Sequence, residues 1–112
     1  MSGISTHVLD TANGRPAQGV RVTAEYVPTN GAFITAGEGV TDADGRIPQL
    51  LASGKALQAG VYRLTFYVGN YFGDNTAFYR EIPVQFMISD PSTHYHVPLL
   101  LSSYGYTTYR GS

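Results

Sequence analysis

The chain has 112 residues, no cysteine and a formal net charge of −1, from seven Lys+Arg against eight Asp+Glu. That length predicts one domain, 1–112, with enough buried surface for a core. The missing cysteines exclude disulfides and thiolate chemistry, and the lack of any basic run argues against nucleic acid. Residues 1–7 lack the basic and apolar regions of a secretory leader. The longest apolar run, Val97 to Leu101, is too short to span a bilayer. A cytoplasmic protein without a membrane partner is the expectation. Charged residues make up only 13%, beside nine tyrosines and five phenylalanines, a balance that predicts surface covered by another subunit.

In chain order, Ile4–Leu9 reads as a short strand. Asn13-Gly14 with Pro16 is turn chemistry. From Gly19 to Val27, Val20, Val22, Ala24 and Tyr26 alternate with Arg21, Thr23 and Glu25, the period of a strand with one wet face. Pro28 to Gly31 breaks it, and Ala32–Thr35 is another short strand. Gly37-Glu38-Gly39 reads as flexible, with Val40-Thr41 starting a strand. Asp42-Ala43-Asp44-Gly45 is a turn leading into Arg46–Leu51. Ser53–Ala59 is the one candidate helix, ended by Gly60. Val61–Val68 has the strongest strand character. Gly69–Ala77 reads as a loop, and Phe78–Ser89 as a strand interrupted at Pro83. His94–Leu101 and Tyr106–Tyr109 form a hairpin. About eight short, closely spaced strands predict an all-β, antiparallel two-sheet sandwich or barrel.

Strand parity sorts the polar side chains. In the strand from His94, the residues Tyr95, Val97, Leu99 and Leu101 share a core face. His94, His96, Pro98 and Leu100 share the other, a mixture suited to a half-buried cleft or a subunit interface. Pro98 lacks a ladder donor, so an edge, a bulge or an unpaired amide position is expected there. In the first strand, Ile4, Thr6 and Val8 face one way and Ser5, His7 and Leu9 the other. Arg46 stands at a sheet end. This pattern allows His7, Arg46 and His96 to share one non-core sheet face. The segment ending in Tyr109-Arg110-Gly111-Ser112 combines an aromatic ring, a cation and a hydroxyl, and it is expected to be docked rather than frayed.

The runs Ile4-Ser5-Thr6-His7-Val8-Leu9-Asp10, Gly14–Gly19 and Asp44-Gly45-Arg46, with the whole segment from His94 to Ser112, resemble the 5-hydroxyisourate hydrolase family. These are transthyretin-related enzymes of urate degradation. The resemblance covers essentially the whole chain, and its most specific motif is Tyr109-Arg110-Gly111-Ser112. Ser103 stands where proline is common in the family, and Thr107 where serine is common. The resemblance implies a transthyretin-like sandwich of eight strands and one short helix, assembled as a homotetramer, a dimer of dimers around a channel. It also implies that the terminal strands and the strand of Val61–Val68 pair across subunits.

The implied reaction is hydrolysis of 5-hydroxyisourate to 2-oxo-4-hydroxy-4-carboxy-5-ureidoimidazoline, with no cofactor and no metal. Water attacks a cyclic amide carbonyl, so a base, an oxyanion donor and a proton source are needed. By resemblance, His7 and His96 are the catalytic histidines. One activates water, and the other orients it or protonates the leaving nitrogen, in an order left open. Burial beside Arg46 would push both towards the neutral form. Arg46 would bind the planar imide edges of the substrate; its alternative is a turn residue paired with Asp42 or Asp44. Ser112 would bond substrate or fix a histidine tautomer, with Gly111 beside it in the binding segment. Tyr109 would wall the pocket, and Arg110 would anchor the tail by an ion pair.

Other readings lead elsewhere. His94 and His96 have the spacing of a zinc pair but lack a third ligand. Asp42–Gly45 lacks the closing glutamate of a calcium loop. A transthyretin-like carrier without turnover would share the fold, yet it has no need of His7, His96 or residues 109–112. A structural or adhesive sandwich domain would share only the turn motifs of the first half.

Overall fold

The computed structural model describes residues 2–73 and 77–112, so part of the expected Gly69–Ala77 loop lies outside the described residues. Nine strands occur among the described residues: β1 (Gly3–Asp10), β2 (Arg15–Pro16), β3 (Arg21–Val27), β4 (Ile34–Val40), β5 (Arg46–Ile47), β6 (Gly60–Tyr67), β7 (Glu81–Ile88), β8 (His94–Leu101) and β9 (Tyr106–Thr108). They form two sheets. One runs β2-β1-β8-β9, with β5 also paired to β1; the other runs β4-β3-β6-β7. Among these described strands every pairing is antiparallel except β1 with β8, which is parallel.

Alternation decides which faces meet. Ile4 and Val8 of β1, Val22 and Ala24 of β3, Leu64 and Phe66 of β6, and Leu99 of β8 have no exposed surface. They interlock as the core between the sheets, each large apolar side chain contributing roughly 1.5–3 kcal/mol on burial. Thr6 shares the core parity and is buried. Its hydroxyl donates to the carbonyl of Val97 at 2.6 Å, so no polar atom there is left without a partner.

Three expectations are corrected. Ser53–Ala59 is not a helix. Gly54 has a φ of 83° and the Lys55 amide donates to the Ala52 carbonyl, closing a single turn. The Ala52 amide goes instead to the Ala36 carbonyl, and that of Gln58 to the Tyr62 hydroxyl. Gly37-Glu38-Gly39 is not a flexible spacer but part of β4, which bulges opposite Ala24 and Glu25. A β-carbon on Gly37 would lie 1.8 Å from the Leu50 carbonyl oxygen. The glycine is there because another stretch of backbone crosses the strand. Finally, β6 is paired on both sides, by β3 and β7. A strand with both ladders filled has no groups left for another subunit. The edge strands among the described residues are β9 on one side and short β2 and β5 on the other side of the first sheet, and β4 and β7 in the second. Among the described residues no helix is long and apolar enough to cross a membrane.

Candidate active site

Three strands deliver polar side chains to the outer face of the β2-β1-β8-β9 sheet. In the parallel β1–β8 ladder, Ser5 is opposite His96 and His7 is opposite Pro98. In the short β1–β5 ladder, His7 is opposite Arg46. Paired residues share a face, so His7, Arg46 and His96 stand on the same side of one sheet. The approach of β5 is set by its turn. Asp42 Oδ1 accepts the amides of Asp44 and Arg46, and the Gly45 carbonyl accepts the Val8 amide at 2.8 Å. Gly45, with a φ of 74°, would place a β-carbon 2.4 Å from the Val8 carbonyl oxygen. The turn therefore docks directly on β1 and carries Arg46 to His7. Asp42 spends its carboxylate on backbone amides, and Arg46 forms no ion pair among the described residues.

Ser5, Thr6, Arg46, Pro48, His94, His96 and Ser112 line a hollow of about 340 Å³. His7 stands beside it, half-buried, opposite Arg46. His96 is held on two edges. Its Nδ1 lies 2.8 Å from Ser5 Oγ. Its Cδ2 would be 2.6 Å from a β-carbon on Gly111, whose amide donates to the His96 carbonyl at 2.8 Å. Its other nitrogen, Nε2, makes no hydrogen bond among the described residues. Burial lowers the basicity of His96 below the usual imidazole range, and the charges of His7, Arg46 and His94 add to the effect. The neutral form is favoured, as a base for water requires.

Pro98 lies in a central strand, not at an edge or a bulge. Extending the β8–β9 register from Leu99–Thr108 puts Pro98 opposite Tyr109. Pairing lapses there, between the end of β9 and the single bridge from His96 to Gly111. The missing amide proton thus falls at an unpaired position.

The four residues at the end of the chain divide. Ser112 lines the hollow with His96, and Gly111 packs against the ring. Tyr109 and Arg110 line a second hollow of about 230 Å³, with Val84, Phe86, Met87 and Tyr95. The Arg110 guanidinium sits over the Tyr95 ring, 4.4 Å from its centre. The tail is held there by a cation–π contact instead of the expected ion pair. This second hollow is mainly apolar, and no histidine or carboxylate is among its lining residues.

Sequence reasoning missed Ser5. It stands two residues before His7 on the same strand parity, the one signal that pointed to it. His94 was weighed only as half of a zinc pair. Its Nε2 lies 2.7 Å from the same Ser5 hydroxyl.

The profile of the HIUase/Transthyretin family matches residues 4–111. A 5-hydroxyisourate hydrolase of Salmonella dublin is 50% identical over 111 residues, covering 97% of this chain and 80% of that protein. The solved structure of Klebsiella pneumoniae 5-hydroxyisourate hydrolase superposes with a TM-score of 0.82 at 34% identity, covering 100% of both chains. Transthyretin from Sparus aurata superposes with a TM-score of 0.86 at 32% identity, covering 96% of this chain and 95% of that one.

Proposed function

The chain belongs to the HIUase/Transthyretin family, and from that premise we propose that it is a 5-hydroxyisourate hydrolase of urate degradation. The observation that carries the chemistry is His96, a half-buried imidazole held towards neutrality beside Arg46 and His7. In this reading His96 Nε2 takes a proton from water, which attacks the cyclic amide carbonyl of the substrate. Arg46 donates to the oxygen on which negative charge grows. His7 supplies the proton to the leaving ring nitrogen. Ser112 and Gly111 close the hollow over the substrate, and Tyr109 and Arg110 hold that closing segment against the sandwich.

Residues 1–112 act as one domain, and four copies assemble as a dimer of dimers in the cytoplasm. Of the edge strands, β7 and β9 are the ones proposed to pair across subunits. A second copy facing the sheet would deepen a shallow hollow into a drier pocket.

The test is spectroscopic. Purified protein is expected to accelerate the decay of freshly made 5-hydroxyisourate. Tight binding of the compound with no acceleration would overturn the hydrolase reading in favour of a carrier.

A further inference from the structure

Behind His96 stands a chain of three groups that the reaction above does not use in full. Ser5 Oγ bridges His96 Nδ1 at 2.8 Å and His94 Nε2 at 2.7 Å. Ser5 is buried and His94 is exposed, so the chain runs from the interior to the rim of the hollow. A serine hydroxyl has one proton to give. With both imidazoles neutral, two arrangements use the Ser5 hydroxyl proton within these contacts, and in each Ser5 donates to one ring and accepts from the other. In the first, His96 Nδ1–H donates to Ser5, Ser5 donates to His94 Nε2, and His96 Nε2 carries a lone pair. In the second, every one of these bonds is reversed and His96 Nε2 carries a proton. Arg46, in the same hollow, offers only donors, which favours the first arrangement.

We propose that Ser5 and His94 form a proton relay that acts through His96. When His96 takes a proton from water at Nε2, its Nδ1 proton passes to Ser5 Oγ, and the Ser5 hydroxyl proton passes to His94 Nε2. One proton enters the chain and none leaves it. No bond between heavy atoms changes, His96 and Ser5 end neutral, and the positive charge rests on His94. The groups facing His96 explain why charge should leave it: His7 from β1, Arg46 from β5, and Ser112 from the segment that follows β9. Two of these are cationic or able to become so, and the site is partly desolvated, which disfavours an imidazolium there. On exposed His94 the same charge is hydrated by water. Ser5 and His94 are thus positioning residues, and the inference rests on the hydrolase reading only for its role in turnover.

The experiment combines side-chain ¹⁵N–¹H NMR with kinetics on the full chain, comparing the wild type with Ser5→Ala, Ser5→Thr, His94→Gln and the Ser5→Ala/His94→Gln double variant. In the wild type His96 is expected to carry its proton on Nδ1 and to switch to Nε2 as His94 becomes charged. In Ser5→Ala that coupling is expected to vanish, and in Ser5→Thr to return. Ser5→Ala and His94→Gln are each expected to lower kcat by about tenfold or more, with KM changed less than about twofold. The double variant is expected to lose no more than the worse single one, because the relay works as a unit. A His96 tautomer indifferent to His94, or losses that multiply in the double variant, would overturn the relay. If the wild type fails to hydrolyse 5-hydroxyisourate yet shows the NMR coupling, the hydrolase assignment alone falls.

Discussion

The backbone of Gly111 packs closely against His96. Its amide donates to the His96 carbonyl at 2.8 Å, and a β-carbon on it would come within 2.6 Å of His96 Cδ2. The glycine is therefore a packing requirement of the imidazole. Gly111→Ala must either tilt the ring or lift Ser112 from the hollow. We expect kcat to fall about tenfold or more, since small misplacements are costly in catalysis. The melting temperature should move by only a few degrees. Unchanged turnover would separate the tail from the ring.

The four groups assigned to the reaction make a second prediction. His7→Ala, His96→Ala, Arg46→Ala and deletion of residues 109–112 should each lower kcat, the histidine variants by about 100-fold or more. Arg46→Ala should also raise KM, because it removes a substrate contact. Circular dichroism should report an intact sandwich in all four. Full activity across the set would end the assignment of these residues.

The lowered basicity of His96 predicts a pH dependence with a definite sign. Its folded pKa lies below the ordinary value of about 6.5. The unfolded chain therefore binds the extra proton first as the pH falls. The stability contributed is complete above about 6.5 and is lost as the pH drops through the depressed folded value. Urea titrations at several pH values should show this loss, and His96→Gln should flatten it. In NMR titrations Arg46→Gln should move the His96 midpoint upward, because a neighbouring cation has been removed. A downward or absent shift would contradict the placement of that charge.

Gly37 tests the crossing of β4 by the chain near Leu50. Its β-carbon position is 1.8 Å from the Leu50 carbonyl oxygen, a backbone atom that cannot swing aside like a side chain. Gly37→Ala should destabilise the fold by about 2–4 kcal/mol, read from chemical denaturation. A loss below about 0.5 kcal/mol would mean that the two backbones separate easily.

The edge strand β7 tests assembly. Met87 is 62% exposed on a strand with a ladder on one side only. Met87→Lys would put a charge at the proposed subunit edge. The mass by light scattering should then fall below that of four chains, and turnover should fall with it. A tetramer of unchanged mass would move the interface elsewhere.

How much was legible beforehand differs from residue to residue. Alternation in β1 and β8 was enough to turn His7 and His96 away from the core, because side-chain direction in a strand is a local property with a period of two. The same pattern also put Ser5 on that face, but nothing local said that a hydroxyl at position 5 would meet two imidazoles 89 and 91 residues later. Gly37 and Gly39 read as flexibility because a sequence does not display the backbone that crosses them. Arg110 read as an ion-pair partner, whereas the tail's path set its cation on the Tyr95 ring.

By itself, then, the amino-acid order determined most of the strands, the facing of most side chains and the family, since these rest on short-range geometry and on contiguous motifs. Tertiary structure alone decided which strands are neighbours, which edges stay open, and that Arg46 and His96 share a hollow with Ser112. Those facts depend on ladders between distant segments, whose register is chosen by how the two sheets bury a common core.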